Sequence, residues 1–385
     1  MSDLFINMQY ICTVSFLKKL KNDGPRKNTE TWEITNEIKP IDLYCYLTAK
    51  FGPPNGLLTL LKSNTSDNLV HWDWELMSDL GNISIQGHNF RTEIHVNEEV
   101  IKSGLTVSDF IQQIKSDFKN YGREISETKK SLEKWTEFIN PFTRLQDTIR
   151  LLFGKLEELN LNPVEDKISS PLHYSDNIEQ IQQIWKERTE RYNFAIGLIY
   201  GLRSMLPVMA ESFINLLIFV LCKPEIKKNS RLFNSILRNQ IDIRVQSLHL
   251  HCEGFKDNID YNSDECKKFH TLINDRNDLL HGNINIDKQG YNDVYFNKRT
   301  PIFISYQDFW EKAIGISLTS VKYETIYDDM LVIENFIGYI LDKLDLKTRN
   351  IIEALMMNLR LGFNHENGRI GILFPQHLAE FRGKK

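Results

Sequence analysis

Apolar and polar residues alternate at several places in the first 105 residues, which is the pattern of half-buried β-strands. The segments YICTVSF at 10–16 and NLVHWDWELMSDLGNISIQGHNFRTEIHV at 68–96 are rich in β-branched and aromatic residues. Glycines followed by polar residues interrupt the second segment and indicate turns. We therefore predict a strand-rich N-terminal domain over residues 1–105.

The apolar spacing changes to the helical period after residue 105. It predicts a helical connector over 106–193, a helical bundle over 194–345, and a further helix with a tail over 346–385. Helices within the bundle are expected at 194–222, 230–252, 263–281 and 323–344, with an irregular insert after the third. The fold class expected for the whole chain is α+β.

The composition narrows the class of protein. The 385 residues carry a formal net charge of −4, so a nucleic-acid site would have to be local. Five scattered cysteines indicate reduced thiols rather than a disulfide framework. The N-terminus lacks the basic segment of a secretory signal, and the most apolar stretch, 194–222, is interrupted by Arg203, Pro207 and Glu211. We expect a cytoplasmic protein without a membrane span.

An arginine lies in the middle of the apolar face of the third helix. At about 100° per residue, Arg276 falls at the centre of a face formed by Phe269, Leu272, Ile273, Leu279 and Leu280. A buried guanidinium is costly unless it is paired and hydrogen-bonded. The fold must therefore supply a carboxylate near Arg276 or leave a cleft there.

The first helix of the bundle offers that carboxylate. Arg203, Pro207, Glu211 and Asn215 recur every four residues on a helix that is otherwise nearly all apolar. This spacing predicts a polar stripe that faces into the bundle. Our hypothesis is that Glu211 holds Arg276, with Asn215 as a second contact.

His281 ends the same helix. Gly282 suits the position just after a helix C-terminus, which places His281 in the last turn, where the helix dipole favours the protonated imidazole. A histidine there can exchange protons near neutral pH, as general acid–base catalysis requires.

The run Arg276-Asn277-Asp278-Leu279-Leu280-His281 resembles the signature of the HEPN ribonucleases, which is an arginine, a polar residue, a few variable positions and a histidine. The resemblance covers roughly 195–345. It implies cleavage of RNA without a metal or other cofactor, through attack of the 2′-hydroxyl on its own phosphate. His281 would be the proton shuttle, Arg276 the charge clamp and Asn277 a positioning group, with Asp278 in support.

The family also implies a homodimer, because one Arg–His pair supplies only half of an acid–base couple. Stand-alone nucleases of this kind resemble toxins or antiviral effectors, in which the front domain senses a trigger or partner, or restrains the nuclease. The expected partner is RNA, with tRNA as one candidate.

A basic segment follows the first bundle helix. Its cationic side chains could track RNA phosphates or could form an ordinary solvated helix face; the candidates for RNA binding are Lys227, Lys228, Arg231, Arg238 and Arg244. The insert contains a weaker basic spot, YFNKRTP at 295–301. Tyr291 and Tyr295 there could stack on bases or pack the insert onto the protein.

Two other functions stay open. The bundle could be a non-catalytic HEPN-like module that binds RNA or protein. A zinc-stabilised sensor or scaffold is the weaker alternative, and its ligands would come from His249, His251, Cys252, Cys266 and His270. The sequence contains no Gly-rich phosphate loop, GxSxG, HExxH or CxxC motif.

Overall fold

The computed structural model divides the chain into two compact units. Unit 1 comprises Met1–Phe138 and Gly362–Lys385, and unit 2 comprises Ile139–Leu361. Unit 1 combines an antiparallel sheet with helices, and helix dominates unit 2, so the α+β class is confirmed. The residues that the structure describes are 8–11, 14–15, 17–18, 21, 29–63, 67–168, 178–284, 286, 290–291, 293–303 and 310–374.

Unit 1 is built on a five-stranded antiparallel sheet. Its strands are β1 (Gln9–Tyr10), β2 (Glu30–Ile34), β3 (Trp72–Ser78), β4 (Gly81–Gly87) and β5 (Thr92–Val96), in the spatial order β1-β3-β4-β5-β2. The alternation seen in the sequence places one row of side chains in register across four strands, namely Trp74, Ile85, Ile94 and Trp32. All four are buried in one hydrophobic core.

Five helices lie in the described part of unit 1, besides one short turn. They are α1 (Pro40–Phe51), α2 (Leu57–Leu61), α3 (Glu98–Lys102), α4 (Val107–Asp117) and α5 (Gly122–Ser131). Residues of α1, α3 and α4 complete the core over the sheet. On the opposite face of β3, the buried Asp73 carboxylate accepts hydrogen bonds from the amides of Leu58 and Thr59, at 3.1 and 2.6 Å. The side chain of this strand residue therefore caps the N-terminus of α2.

The structure divides the chain differently from the sequence prediction. The expected connector over 106–193 does not form a unit of its own, because α4 packs into the core of unit 1 while α6 (Pro141–Glu158) belongs to unit 2. The tail also differs. After α14 (Leu346–Met356), strands β9 (Arg360–Asn364) and β10 (Ile370–Gly371) form a small sheet with β6 (Trp135–Ile139) in the order β10-β9-β6. Residues 169–177 and 375–385 lie outside the described part.

The central helix of unit 2, α7 (Ile178–Leu221), runs without a break for 44 residues. The boundary expected at 193/194 is wrong, because Tyr192 and Ala195 on either side are both fully buried and keep the helix in the core. By length and composition α7 could cross a membrane, although 56% of its most apolar window is buried inside the protein. Core helices of soluble proteins meet the same criterion, so this observation is weak evidence for a span.

Further elements of unit 2 lie between α7 and α14 in the chain. The helix expected at 230–252 is two helices, and the helices expected at 263–281 and 323–344 are confirmed to within a few residues. The elements are α8 (Pro224–Lys228), α9 (Ser230–Arg238), α10 (Ile241–His251), α11 (Asp264–His281), β7 (Val294–Asn297), β8 (Thr300–Phe303), α12 (Ile316–Ser320) and α13 (Ile326–Asp342).

Asn140 joins two ends of unit 2. Its side-chain oxygen accepts a hydrogen bond from the Phe142 amide at the start of α6, and its Nδ2 donates to the carbonyl of Leu355 in α14 at 3.0 Å. The residue is fully buried. One side chain therefore caps a helix and satisfies a carbonyl more than 200 positions away.

We predict that Asn140→Ala lowers the free energy of unfolding by about 2–4 kcal/mol, because it removes a cap and a buried side-chain amide that donates to the Leu355 carbonyl. Urea denaturation measures the loss. Asn229→Ala is the matched control, since Asn229 caps α9 through the Leu232 amide from an exposed position. Its loss should stay near 1 kcal/mol or below, as is usual for exposed caps. Equal losses in the two variants would contradict the prediction.

Candidate functional site

Helix α11 carries the candidate residues and is capped at both ends. The Ser263 hydroxyl accepts from the Cys266 amide, and Gly282 adopts the left-handed conformation, with φ of 62°, that ends a helix. Phe269 is fully buried and stacks on Phe336 of α13 with ring centroids 4.0 Å apart. The predicted apolar face is thus largely confirmed. Leu280 is the exception, since half of its surface is exposed.

Arg276 lies on this face and forms an ion pair with Glu211 of α7, as the sequence predicted. The other carboxylate oxygen of Glu211 accepts from Arg244 of α10 at 3.1 Å. One carboxylate therefore holds two arginines from two different helices. The expected contact from Asn215 to Arg276 is wrong: the Asn215 side-chain oxygen accepts from Arg244 at 2.5 Å instead.

A cleft of about 120 Å³ opens beside Arg276. Its walls come from α7, α11 and the segment from α12 to α13, and include Tyr200, Leu272, Asp278 and Lys322. The Nε of Arg276 is buried and has no hydrogen-bond partner among the described residues. Glu211 therefore satisfies only part of this guanidinium, and the arginine retains donor capacity.

Arg203 fixes the wall of the cleft that precedes α13. Its guanidinium donates to the carbonyls of Val321 and Lys322, at 2.7 and 2.9 Å, and pairs with Asp329 at 2.5 Å. Burial lowers the pKa of Arg203 and raises the pKa of Asp329, and the attraction between the two charges opposes both shifts. Arg203 is thus a structural clamp on this turn.

The three basic side chains that line the cleft each pair with a carboxylate of the described residues. Besides the pairs of Arg276 and Arg203, the Lys322 ammonium lies 2.7 Å from Asp275 of α11. The cleft therefore has no excess of positive charge in this state. A phosphate entering it would compete with acidic side chains for its cations.

His281 lies in the last turn of α11 and is exposed. It is not one of the described residues that line the cleft. Five positions on a regular helix turn through about 140° and rise about 7.5 Å, so Arg276 and His281 of one chain point to different sides. Asn277 is half-buried between them, and the Asp278 carboxylate accepts from Asn283 at 3.1 Å, beyond the helix end.

The proposed basic surface is smaller than the sequence suggested. Arg244 is 8% exposed because it shares a helical face with the buried Ile241 and Leu248, so its assignment to an RNA-binding surface is wrong. The Lys227 ammonium donates to the Val220 carbonyl at the end of α7, and burial lowers its pKa. The side chains that remain exposed for RNA binding are those of Lys228, Arg231 and Arg238.

The zinc alternative does not fit the geometry. No three His, Cys, Asp or Glu side chains of the described residues come together as a metal site. His270 is hydrogen-bonded to the Tyr261 hydroxyl, and Cys252 forms a backbone bridge with Cys222. Burial, with a contribution from Cys222, raises the pKa of Cys252 to about 12, which disfavours the thiolate that zinc requires.

Comparison of the chain with protein-family models, with curated proteins and with solved structures gives no match.

We predict that Glu211→Gln lowers the free energy of unfolding by about 3 kcal/mol, because two largely buried arginines lose their common counter-charge. Their side chains are 9% and 17% exposed. The control is Glu353→Gln, which removes an exposed partner of Arg349 and should cost less than about 1 kcal/mol. Urea denaturation of both variants provides the comparison. A loss from Glu211→Gln no larger than that of the control would refute the stabilising role of the pair.

Proposed function

We propose that this chain is a metal-independent endoribonuclease of the HEPN type, with Arg276 and His281 as its catalytic residues. The observation that supports this best is their placement on α11. Arg276 lines a cleft with donor capacity to spare, and His281 is exposed at the glycine-capped end of the same helix. Both residue types are those that the chemistry of RNA cleavage needs at an active site.

In the proposed reaction the ribose 2′-oxygen attacks the adjacent phosphorus. The P–O bond to the 5′-oxygen of the next nucleotide breaks, leaving a 2′,3′-cyclic phosphate and a 5′-hydroxyl. A base must remove the 2′-hydroxyl proton, and an acid must donate a proton to the leaving oxygen. Histidine can do either, whereas arginine stabilises the extra charge on the phosphate oxygens. Asn277 positions either the histidine or the arginine.

A second copy of the chain is part of this proposal. One His281 cannot be base and acid in the same turnover step, and it points away from its own Arg276 by about 140°. A twofold interface along the ends of two α11 helices would bring two copies of each residue to one RNA strand. The expected active form is therefore a homodimer.

The pairing of Arg276 with Glu211 gives the proposed enzyme a restrained state. A phosphate must compete with the Glu211 carboxylate for the charge of the arginine. Restraint is what a toxin or antiviral effector in the cytoplasm requires before it is triggered. In this proposal unit 1 receives the trigger or partner, and the RNA substrate includes tRNA as a candidate.

A second candidate function is a non-catalytic binding module of the same fold. The specific observation in its favour is that each basic side chain lining the cleft already pairs with an acidic one. In that case Arg276 would be a structural ion pair and His281 a helix end. The two functions differ in the role of His281, which is catalytic in the nuclease and only structural in the binding module.

The decisive measurement uses purified wild type, His281→Ala and Arg276→Ala with total RNA and with tRNA in EDTA. We expect the wild type to cleave and to leave cyclic phosphates, and each variant to be slower by at least about 100-fold. Acid–base groups contribute about 10²–10⁴-fold, and groups that stabilise transition-state charge contribute about 10²–10³-fold. His270→Gln is the matched control, because this histidine is on α11 and contacts Tyr261; it should cleave like the wild type.

Two results would overturn the assignment. Cleavage by His281→Ala at the wild-type rate would remove His281 from the chemistry. Absence of cleavage by the wild type, together with retained binding of RNA or protein, would establish the binding module instead.

A further inference from the structure

The insert between α11 and α13 contains a two-stranded hairpin whose large apolar side chains are exposed. Strands β7 and β8 pair antiparallel, with Tyr295 opposite Ile302 and Phe296 opposite Pro301. Tyr295 is 64% and Phe296 65% exposed, and Val294 and Ile302 are also exposed. Since adjacent residues of a strand point to opposite faces, the two aromatic rings lie on different faces of the hairpin.

Such a hairpin has no hydrophobic core of its own. Two strands alone are marginally stable in water, and each face of this hairpin carries an apolar cross-strand pair, Tyr295 with Ile302 or Phe296 with Pro301. These exposed side chains contrast with the fully buried tyrosine and tryptophan of the same unit, Tyr192 and Trp310, which pack edge to face. The hairpin therefore has the properties of a contact surface rather than of a buried element.

The charge on the hairpin indicates which kind of partner fits. Lys298 and Arg299 form the turn, with Lys298 at a φ of 58°, and both are exposed. Residues 294–303 contain no acidic side chain, so the segment is a local positive site on a chain whose net charge is −4. A cationic tip next to exposed aromatic rings complements a polyanion with stacking groups.

The hairpin is less suited to pairing with a strand of a second copy. Pro301 in β8 has no amide hydrogen to donate to a further strand. Single-stranded nucleic acid fits the same surface without this difficulty. Its phosphates attract the cations, and its bases can stack on isolated rings.

We propose that the β7–β8 hairpin binds single-stranded RNA, with Lys298 and Arg299 contacting phosphates and Tyr295 and Phe296 stacking on bases. The inference names a substrate contact for the proposed nuclease and in that respect rests on the proposed function. The hairpin follows α11 closely in the chain: thirteen peptide steps from His281 to Val294 limit their separation to about 45 Å. One RNA strand of moderate length can therefore reach both.

The test measures binding to the full chain carrying His281→Ala, so that the RNA stays intact. The probe is a fluorescent single-stranded 15-nucleotide RNA, with the matching duplex for comparison, read by fluorescence anisotropy. Tyr295→Ala and Phe296→Ala should each weaken binding of the single strand by about 5- to 150-fold, which corresponds to the usual stacking contribution per base. Their effect on the duplex should be much smaller, because its bases are already stacked.

The two cations are tested through salt dependence. Lys298→Gln with Arg299→Gln should reduce the slope of log affinity against log salt by about 1.4, at about 0.7 for each lost phosphate contact of a single strand. The controls are Phe90→Ala, an exposed aromatic of unit 1, and Arg123→Gln with Lys130→Gln, two exposed cations of α5. Neither control should change affinity or slope. Circular dichroism checks that each variant keeps the parent fold.

Each other outcome overturns the inference. Absence of single-strand binding by the parent, or unchanged binding by all hairpin variants, would exclude the hairpin as an RNA contact. A change of oligomeric state in sedimentation, without a change in RNA affinity, would assign the hairpin to contacts between copies. None of these results decides the proposed function, which fails only in the cleavage assay with wild type and His281→Ala.

Discussion

The carboxylate of Glu211 is the constraint on which the candidate site depends. It lies on α7, inside a bundle, and accepts from Arg244 of α10 and from Arg276 of α11. Charged groups in such a position are tolerated only when each finds a partner, and the loss of one leaves the others uncompensated. Three helices are thereby held in one relative arrangement by a single acidic side chain. The apolar packing around it, such as Phe269 on Phe336, is non-directional and would not by itself fix the position of Arg276.

The other ion pairs complete the cleft in the same manner. Arg203 binds the turn before α13 through two backbone carbonyls, and Lys322 of that turn binds Asp275 of α11. Arg203 and Lys322 thus link the turn before α13 to α7 and to α11, and both also line the cleft. This arrangement explains why the cleft is well defined and yet lacks free positive charge. It is a rigid frame in which Arg276 keeps an unused donor.

The sequence predicted the Arg276–Glu211 pair because the cost of a buried charge can be deduced from helical spacing alone. The same reasoning applied to α10 would have placed Arg244 inside, since it follows Ile241 by three positions and precedes Leu248 by four. The basic residues of the preceding segment indicate a surface position instead, and that prediction is wrong. The predicted contact of Asn215 with Arg276 is wrong as well, because Asn215 meets Arg244. Which of two buried arginines an amide meets depends on helix packing, which spacing does not reveal.

The division into units could not be predicted for a related reason. Gly362–Lys385 is grouped with the N-terminal unit, and the small sheet in the order β10-β9-β6 joins segments more than 200 residues apart. Such pairings leave no local pattern, whereas the alternation in β3 and β4 and the period of α11 are local and were found. The break predicted near residue 193 is wrong, because the composition changes there while the helix continues. The buried Tyr192 and Ala195 carry α7 through it.

The state of Arg276 bears on where the proposed nuclease obtains its binding energy. A phosphate that enters the cleft competes with Glu211 for the charge of Arg276, even where it uses the unpaired donor, so this contact adds little net affinity. The energy for positioning RNA must then come from groups that are free before binding. Contacts remote from the reacting bond can supply this energy. They favour the chemical step when they hold the reacting phosphate against Arg276, which otherwise stays paired with Glu211. The exposed aromatic rings and cations of the β7–β8 hairpin are such groups. In this scheme Glu211 limits the reaction to RNA that is held elsewhere, which is how a nuclease with a preformed cleft can remain inactive towards RNA it meets by chance.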